Sequence, residues 1–383
     1  MSTPTPTNTN ATGEETSDLS KQYDTPLGLA HTTMQALKDR IKLHYDLASD
    51  YYLNLWGEHI HHGYWPTDAS KAADTKETAQ LNLIRLLLTI SSLPVPVGEE
   101  EEEDSLGTTN KRNTTTPLRI LDVGCGVGGT TRYLASILGA TVTGITISSK
   151  QVQIATRLSK AAAAPAAATP TTAAAAAAAE DGEEEEDDSK DDGFIPVGEK
   201  GGKVRFIELD AERMGEFFAT AEKGFDVVWI TEALSHFPNK ALFFRNAFQL
   251  LRAGGGSGSG GGSGGKLVLA DWFRAEGLGE GGFEGDIKPI EDGMLLPPLC
   301  TQQQYVDFAT GAGLALVGEP KDISKDVSKT WDISWSLVQN PSLWAFAFSQ
   351  GRDGIAFLQA FRAMRRGYAN GSFRYAVMSF VKQ

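Results

Sequence analysis

The sequence predicts an α/β protein built on a doubly wound, mostly parallel sheet of seven strands, with a helical lid before it and a helical cap after it. Three observations predict it. Short β-prone apolar runs alternate with helical stretches along most of the chain. The first run, Leu118 to Val123, passes at once into a glycine turn at Gly124, Gly126 and Gly128 and then a helix start. The second strand, Thr141 to Ile147, follows that helix, completing a βαβ unit whose crossover should be right-handed and its strands parallel.

A length of 383 residues fits one such domain with insertions. Residues 1–28, rich in Ser, Thr and Pro, read as a disordered tail, and residues 29–383 as the domain. Flexible inserts are expected at 98–116, 161–202 and 254–265: an acidic run, an alanine block leading into acids, and a stretch made only of Gly and Ser. The runs Glu99 to Asp104 and Glu180 to Asp192 together carry more negative charge than the chain's net −14, so the folded part is near neutral. No basic excess points to nucleic acid.

The two cysteines, Cys125 and Cys300, lack paired spacing and imply a reducing setting. The first 28 residues lack the apolar core of a secretory signal and the arginines of a transit peptide, so a cytoplasmic location is expected. No run is long and apolar enough to span a membrane, which leaves peripheral membrane contact open. Oligomeric state is not legible.

The lid should start near His31, its apolar positions Met34, Leu37, Ile41, Leu43 and Tyr45 falling on one helical side, and run into a stretch dense in aromatics and histidines to Trp65. Those rings either pack the lid on the sheet or, at Tyr45, Tyr51, Gly63 and Tyr64, close over a ligand. His59, His61 and His62 do not read as a metal site, because alternation sends adjacent His61 and His62 to opposite faces and no Cys, Asp or Glu pair completes it. A helix from Lys76 to Ile90 follows. Ser148 caps a helix from Ser149 to about Lys160. Further strands are expected at Val204 to Glu208, Phe225 to Ile230, Lys266 to Asp271, Leu314 to Gly318 and Ser372 to Val381. Helices should cover Asn239 to Arg252, the capping-box segment from Thr301 to Ala312, and most of Asp322 to Arg366. Trp331, Trp335, Trp344, Phe346, Phe348, Phe357 and Phe361 either wall an apolar substrate pocket or pack a small cap.

The glycines alone do not decide what the turn holds, since Gly124, Gly126 and Gly129 also satisfy the loose G-x-G-x-x-G pattern of dinucleotide folds. The acid expected about 20 residues later for a dinucleotide ribose is absent, and Thr146 stands there instead. Asp122, directly before the turn, suits a cationic ligand better than a pyrophosphate. The sulfonium and α-amino groups of S-adenosylmethionine fit. Asp210, after the third strand, either accepts the adenine amino group or is a solvated loop acid. Glu232 and His236 follow the fourth strand, where crevice residues meet substrate. The expected roles are His236 as general base and Glu232 orienting it or the substrate; the competing account is that His236 only caps the next helix.

Four motifs in combination carry a resemblance: Trp56-Gly-Glu-His-Ile-His-His-Gly-Tyr-Trp65, Leu121-Asp-Val-Gly-Cys-Gly-Val-Gly-Gly129, Val142-Thr-Gly-Ile-Thr-Ile-Ser148 with Gln151, and Arg365-Arg-Gly-Tyr368 before Phe373-Arg-Tyr375. With them the chain resembles class I methyltransferases that use S-adenosylmethionine, in the group of gamma-tocopherol C-methyltransferases, alkaloid N-methyltransferases and sterol methyltransferases. The resemblance implies the Rossmann-like methyltransferase fold and C- or N-methylation of a small apolar or aromatic molecule. It places Asp122, Gly124, Gly126, Thr146 and Gln151 at the cofactor's amino-acid and ribose parts, Asp210 and Ala211 at the adenine, and Tyr45, Gly63 and Tyr64 over it. One departure is Ser235, where relatives often carry a second Glu before the histidine. A lipid- or sterol-modifying enzyme of the same chemistry, a nicotinamide-dependent oxidoreductase and a silent binding module are the other readings.

Overall fold

The computed structural model describes residues 34–95, 116–163, 193–219, 224–254, 263–338 and 352–383. The lid helix α1 (Met34–Trp56) is followed by α2 (Asp68–Ala73) and α3 (Lys76–Ile90). The sheet begins with β1 (Arg119–Val123), α4 (Gly129–Leu138), β2 (Thr141–Thr146) and α5 (Ser149–Ala163). After β3 (Ile195–Val197) and β4 (Gly202–Glu208) come β5 (Val227–Thr231), α6 (Lys240–Leu250) and β6 (Lys266–Arg274). The chain closes with α7 (Lys288–Gly293), α8 (Gln302–Gly311), β7 (Leu314–Leu316), β8 (Lys321–Asp322), α9 (Lys329–Val338), α10 (Arg352–Asn370) and β9 (Phe373–Lys382).

The sheet has nine strands, in the order β3-β4-β2-β1-β5-β6-β9-β7 with β8 beside β9. Strands β4, β2, β1, β5 and β6 run parallel, and β3, β9, β7 and β8 add antiparallel edges. All seven expected strands are present. The two extra ones are short, of 3 and 2 residues, too brief to leave a pattern. The first corrects the expected insert at 161–202: α5 runs to Ala163, and Ile195-Pro196-Val197 pairs as an edge strand, where a proline costs no ladder bond. The glycine linker is also shorter than expected, because Gly265 donates to Arg252 O and accepts from Lys382 N. Most of the three inserts, the tail, and Trp344, Phe346 and Phe348 lie outside the described residues.

Each sheet face carries an apolar layer. Leu83 and Leu87 of α3 and Leu134 of α4 pack with Val142 and Trp229 on one side; Phe243, Phe244 and Ala247 of α6 pack with Tyr305 and Phe380 on the other. Strand order reverses between β1 and β5, and a crevice opens there at the carboxyl ends of the parallel strands. Helix α1 roofs that crevice. Asp46 accepts from the Ser148 hydroxyl at 2.5 Å, and Ser148 Oγ caps α5 by accepting from Gln151 N, so the lid is joined to the helix cap beneath it. Among the described residues no helix is long and apolar enough to cross a membrane.

Candidate active site

The crevice is a cavity of about 840 Å³ including its mouth, floored by the β1, β2, β4 and β5 ends and roofed by Lys38, Ile41 and Tyr45 of α1. Of the expected site residues, Tyr45, Gly124, Gly126, Thr146, Gln151, Asp210, Ala211, Glu232 and His236 line it.

The turn divides its work among its glycines. Gly124 (φ +71°) is required for packing, since a Cβ there would come 2.4 Å from Ala233 Cβ. Gly126 (φ +55°) is the one left bare toward the cavity, where a Cβ would meet nothing closer than Ile60 at 4.0 Å. Asp122 is placed differently from the expectation. It is buried at 3 % exposure beneath the turn, does not line the cavity, and accepts from Thr131 Oγ1 at 2.6 Å. Burial pushes its carboxyl up to about 7, against the pull of the Thr131 hydrogen bond. Asp122 therefore braces the turn from below through Thr131.

At the β2 end, Thr146 Oγ1 donates to Gln151 Oε1 at 2.5 Å, so the two act as one polar patch. Asp210 caps the turn after β4 by accepting from Glu212 N, and Lys38 reaches down from the lid to Asp210 (2.7 Å) and Glu212 (2.6 Å). Lys42 makes a parallel contact with Glu208 at 2.7 Å and with Ile147 O. Tyr45 Oη meets His236 Nε2 at 3.3 Å, edge-on. Burial first, and then the charge of Glu232, push the Tyr45 hydroxyl up to about 12, so it stays protonated.

Gly63 and Tyr64 are not over the cavity. Gly63 is buried against Trp65 and Ala79, and its N–H donates to Thr330 Oγ1 at 3.1 Å. Tyr64 packs on the α3 side of the core, with Lys321 over its ring. The loop is irregular after Trp56, so Ile60 and not Gly63 comes to the crevice. The side chains of Tyr51, Trp335 and Phe357 lie outside the described residues.

Glu232 departs from expectation in its partner. It holds φ +53°, a left-handed conformation unusual for a residue with a Cβ, which turns its side chain through the wall of the crevice. There Glu232 Oε1 accepts from His62 N (2.6 Å), His62 Nδ1 (2.9 Å) and Tyr375 Oη (2.7 Å). Burial alone would raise its carboxyl, but the attraction of His62 and the two hydrogen bonds from that residue outweigh it and hold it below the usual range. Glu232 thus orients His62, while His236 is committed to Tyr45. Sequence reasoning missed His62 because it assumed strand-like alternation; the segment is irregular, and both His61 and His62 are buried, at 4 % and 3 % exposure. Burial holds the His59 imidazole down to about 3 and lowers that of His61 as well, so both are neutral. Among the described residues no three His, Cys, Asp or Glu side chains converge as a metal site.

Beyond Glu232 the His62 ring sits among Trp331 (5.1 Å between centroids), Tyr375 (4.9 Å), Trp272 (6.0 Å) and Tyr368 (6.2 Å). Trp331 also packs on Phe361, so part of the expected aromatic wall forms, around this histidine.

A family model described as a methyltransferase domain matches residues 82–256, which span the glycine turn, Thr146, Asp210 and Glu232. The chain is 26 % identical over 366 residues to the tocopherol O-methyltransferase, chloroplastic, of Arabidopsis thaliana, covering 92 % of this chain and 84 % of that one. It is 27 % identical over 293 residues to the 27-O-demethylrifamycin SV methyltransferase of Amycolatopsis mediterranei, covering 76 % and 78 %. This chain is a class I S-adenosylmethionine-dependent methyltransferase. Its fold is shared with geranyl diphosphate C-methyltransferase from Streptomyces coelicolor A3(2), solved with S-adenosyl-L-homocysteine (TM-score 0.56, 13 % identity, 94 % of this chain and 99 % of that one).

The methyltransferase's own residues fit that cofactor. The bare face of Gly126 leaves room for a close backbone approach, Thr146 and Gln151 offer hydroxyl and amide groups at the next strand end, and Asp210 offers a carboxylate beyond it. S-adenosylmethionine supplies a methyl group on a cationic sulfur. The oxidoreductase reading has no support from these relatives.

Proposed function

We propose that the acceptor is a small apolar molecule carrying an aromatic ring with a hydroxyl group, methylated on oxygen or on a ring carbon activated by it. The observation that carries this reading is the cluster of Trp272, Trp331, Tyr368 and Tyr375 packed around His62, which adjoins the crevice through Glu232. Flat apolar walls suit a ring, and few polar atoms suit one hydroxyl. The Trp272 indole N–H is buried there without a partner, a donor ready for one oxygen. The relatives named for tocopherol and demethylrifamycin, both acceptors with an oxygen, support the same class. A simple ammonium acceptor fits less well, because the cluster's one carboxylate already takes three donors on one oxygen.

In this reading Gly124 and Gly126 meet the cofactor's amino-acid part, Thr146 and Gln151 its ribose, and Asp210 and Ala211 its adenine, while Tyr45 and His236 close the crevice above. Enclosure and alignment of the two reactants contribute as much as ~7–11 kcal/mol of the barrier. The test is incubation with labelled S-adenosylmethionine and a panel of tocopherols, alkyl hydroquinones, sterols and tertiary amines. Label entering phenolic members supports the reading; label confined to amines or sterols overturns it.

A further inference from the structure

We infer that His62, through Nε2, is the general base that takes the acceptor's proton, and that Glu232 and Tyr375 are positioning residues for it. The inference deepens the phenolic-acceptor reading and rests on it.

Four observations carry it. First, Glu232 Oε1 lies 2.9 Å from His62 Nδ1, and a carboxylate oxygen only accepts, so the proton of a neutral imidazole is fixed on Nδ1. The other nitrogen, Nε2, then carries the lone pair. Second, His62 Nε2 is buried without a hydrogen-bond partner, in a ring 97 % shielded from solvent. An unpaired buried acceptor is destabilising, and an incoming O–H group removes that cost. Third, the backbone N–H of the same residue also donates to Glu232, at 2.6 Å, and Tyr375 Oη, from β9, donates to that same oxygen. The ring is thereby fixed at both ends of its tether. Fourth, the other polar groups nearby are unsuited to receive a proton. Tyr368 and Tyr375 are pushed well above the ordinary tyrosine value, by burial first and then by the charge of Glu232, so they remain donors. His236 has its Nε2 committed to Tyr45, whichever of the two donates.

The step balances. The acceptor's O–H or ring C–H bond breaks, and its electron pair forms the bond to the methyl carbon. The methyl–sulfur pair stays on sulfur, giving neutral S-adenosylhomocysteine. The proton goes to His62 Nε2, and Glu232 stabilises the imidazolium until product release lets water remove it.

Two measurements test this, one of which needs no acceptor. In the full chain with S-adenosylhomocysteine bound, long-range proton–nitrogen correlation of the histidine rings should show His62 protonated on Nδ1 and bare on Nε2. A proton found on Nε2 overturns the inference, whatever the acceptor. With tocopherol as acceptor, His62→Gln should lower kcat about 10²–10⁴-fold while S-adenosylhomocysteine affinity stays within about twofold. His62→Ala should regain activity with added imidazole, which neither Glu232→Gln nor a misfolded protein would do. Full activity of His62→Gln, or an imidazole response absent from a folded His62→Ala that still binds S-adenosylhomocysteine, also overturns it. Failure of the wild-type chain to bind S-adenosylhomocysteine would instead remove the methyltransferase reading, a separate result.

Discussion

The two halves of the proposed site, one for cofactor and one for acceptor on either side of Glu232, are built in opposite ways. The cofactor half is local. Gly124, Gly126, Thr146 and Gln151 fall within 28 residues, from the turn after β1 to the first turn of α5, and backbone geometry does most of the shaping. The acceptor half is assembled from His62, Glu232, Trp272, Trp331, Tyr368 and Tyr375, which come from six separate segments, and it depends on side chains finding one another through the fold. A local half is stiff and readable from spacing. A dispersed half is held by a few hydrogen bonds and is free to vary its lining while the cofactor half stays the same.

The largest effect expected is on the local half. In Gly124→Val the side chain meets Ala233 in a backbone conformation with φ +71°. Left-handed strain and overlap together should cost at least about 3 kcal/mol. Denaturant unfolding and calorimetric titration with S-adenosylhomocysteine should both show it; unchanged affinity would mean the turn is not the cofactor's seat.

Tyr375→Phe damages only the dispersed half. It removes one donor from a buried carboxylate and should cost about 1.5–3 kcal/mol of stability. Methyl transfer should fall about tenfold or more, with S-adenosylhomocysteine affinity within about twofold, because no cavity-lining atom is touched. Equal losses of binding and turnover would show that the halves are not separable.

Asp122→Asn sharpens the boundary from beneath. The Asp122 carboxyl is raised to about 7, so its contribution to stability is full below about 4 and is lost as pH rises through 7. The asparagine lacks this titration and still accepts from Thr131. The variant should therefore be roughly 1–2 kcal/mol more stable than wild type at pH 8, the advantage vanishing toward pH 4. Melting curves across that range check the sign. S-adenosylhomocysteine affinity should hold within about threefold; a large loss would restore Asp122 as a ligand for the cofactor's charge.

How much of this was legible follows from the same contrast. All seven expected strands, the helix Lys76–Ile90 and the capping box at Thr301 follow from periodicity and end signals, which are local. The edge strand at Ile195–Val197 did not, being three residues beside a low-complexity run. In the site, spacing found the turn, Thr146 and Asp210. It did not place Asp122, since a residue near a strand's end can face either the crevice or the layer below and sequence does not say which. It misplaced Gly63 and Tyr64 and passed over His62 for one reason: an irregular loop has no period. Its neighbours Tyr368 and Tyr375 stood in distinctive motifs but carried no role until β9 brought Tyr375 to Glu232.

Even the local half has one dispersed component, the lid, and Lys38→Met tests how much it matters. Lys38 sits 2.7 Å from Asp210 and 2.6 Å from Glu212, with its side chain 16 % exposed. Burial pulls its ammonium down, but the hydrogen bonds to those two acids outweigh this and keep it charged. A pair of this kind is worth about 1 kcal/mol, so its removal should speed S-adenosylhomocysteine release about fivefold, with little change in the association rate. Stopped-flow measurement separates the two rates. If release slows instead, Lys38 is a competitor that draws Asp210 away from the adenine amino group and not a latch.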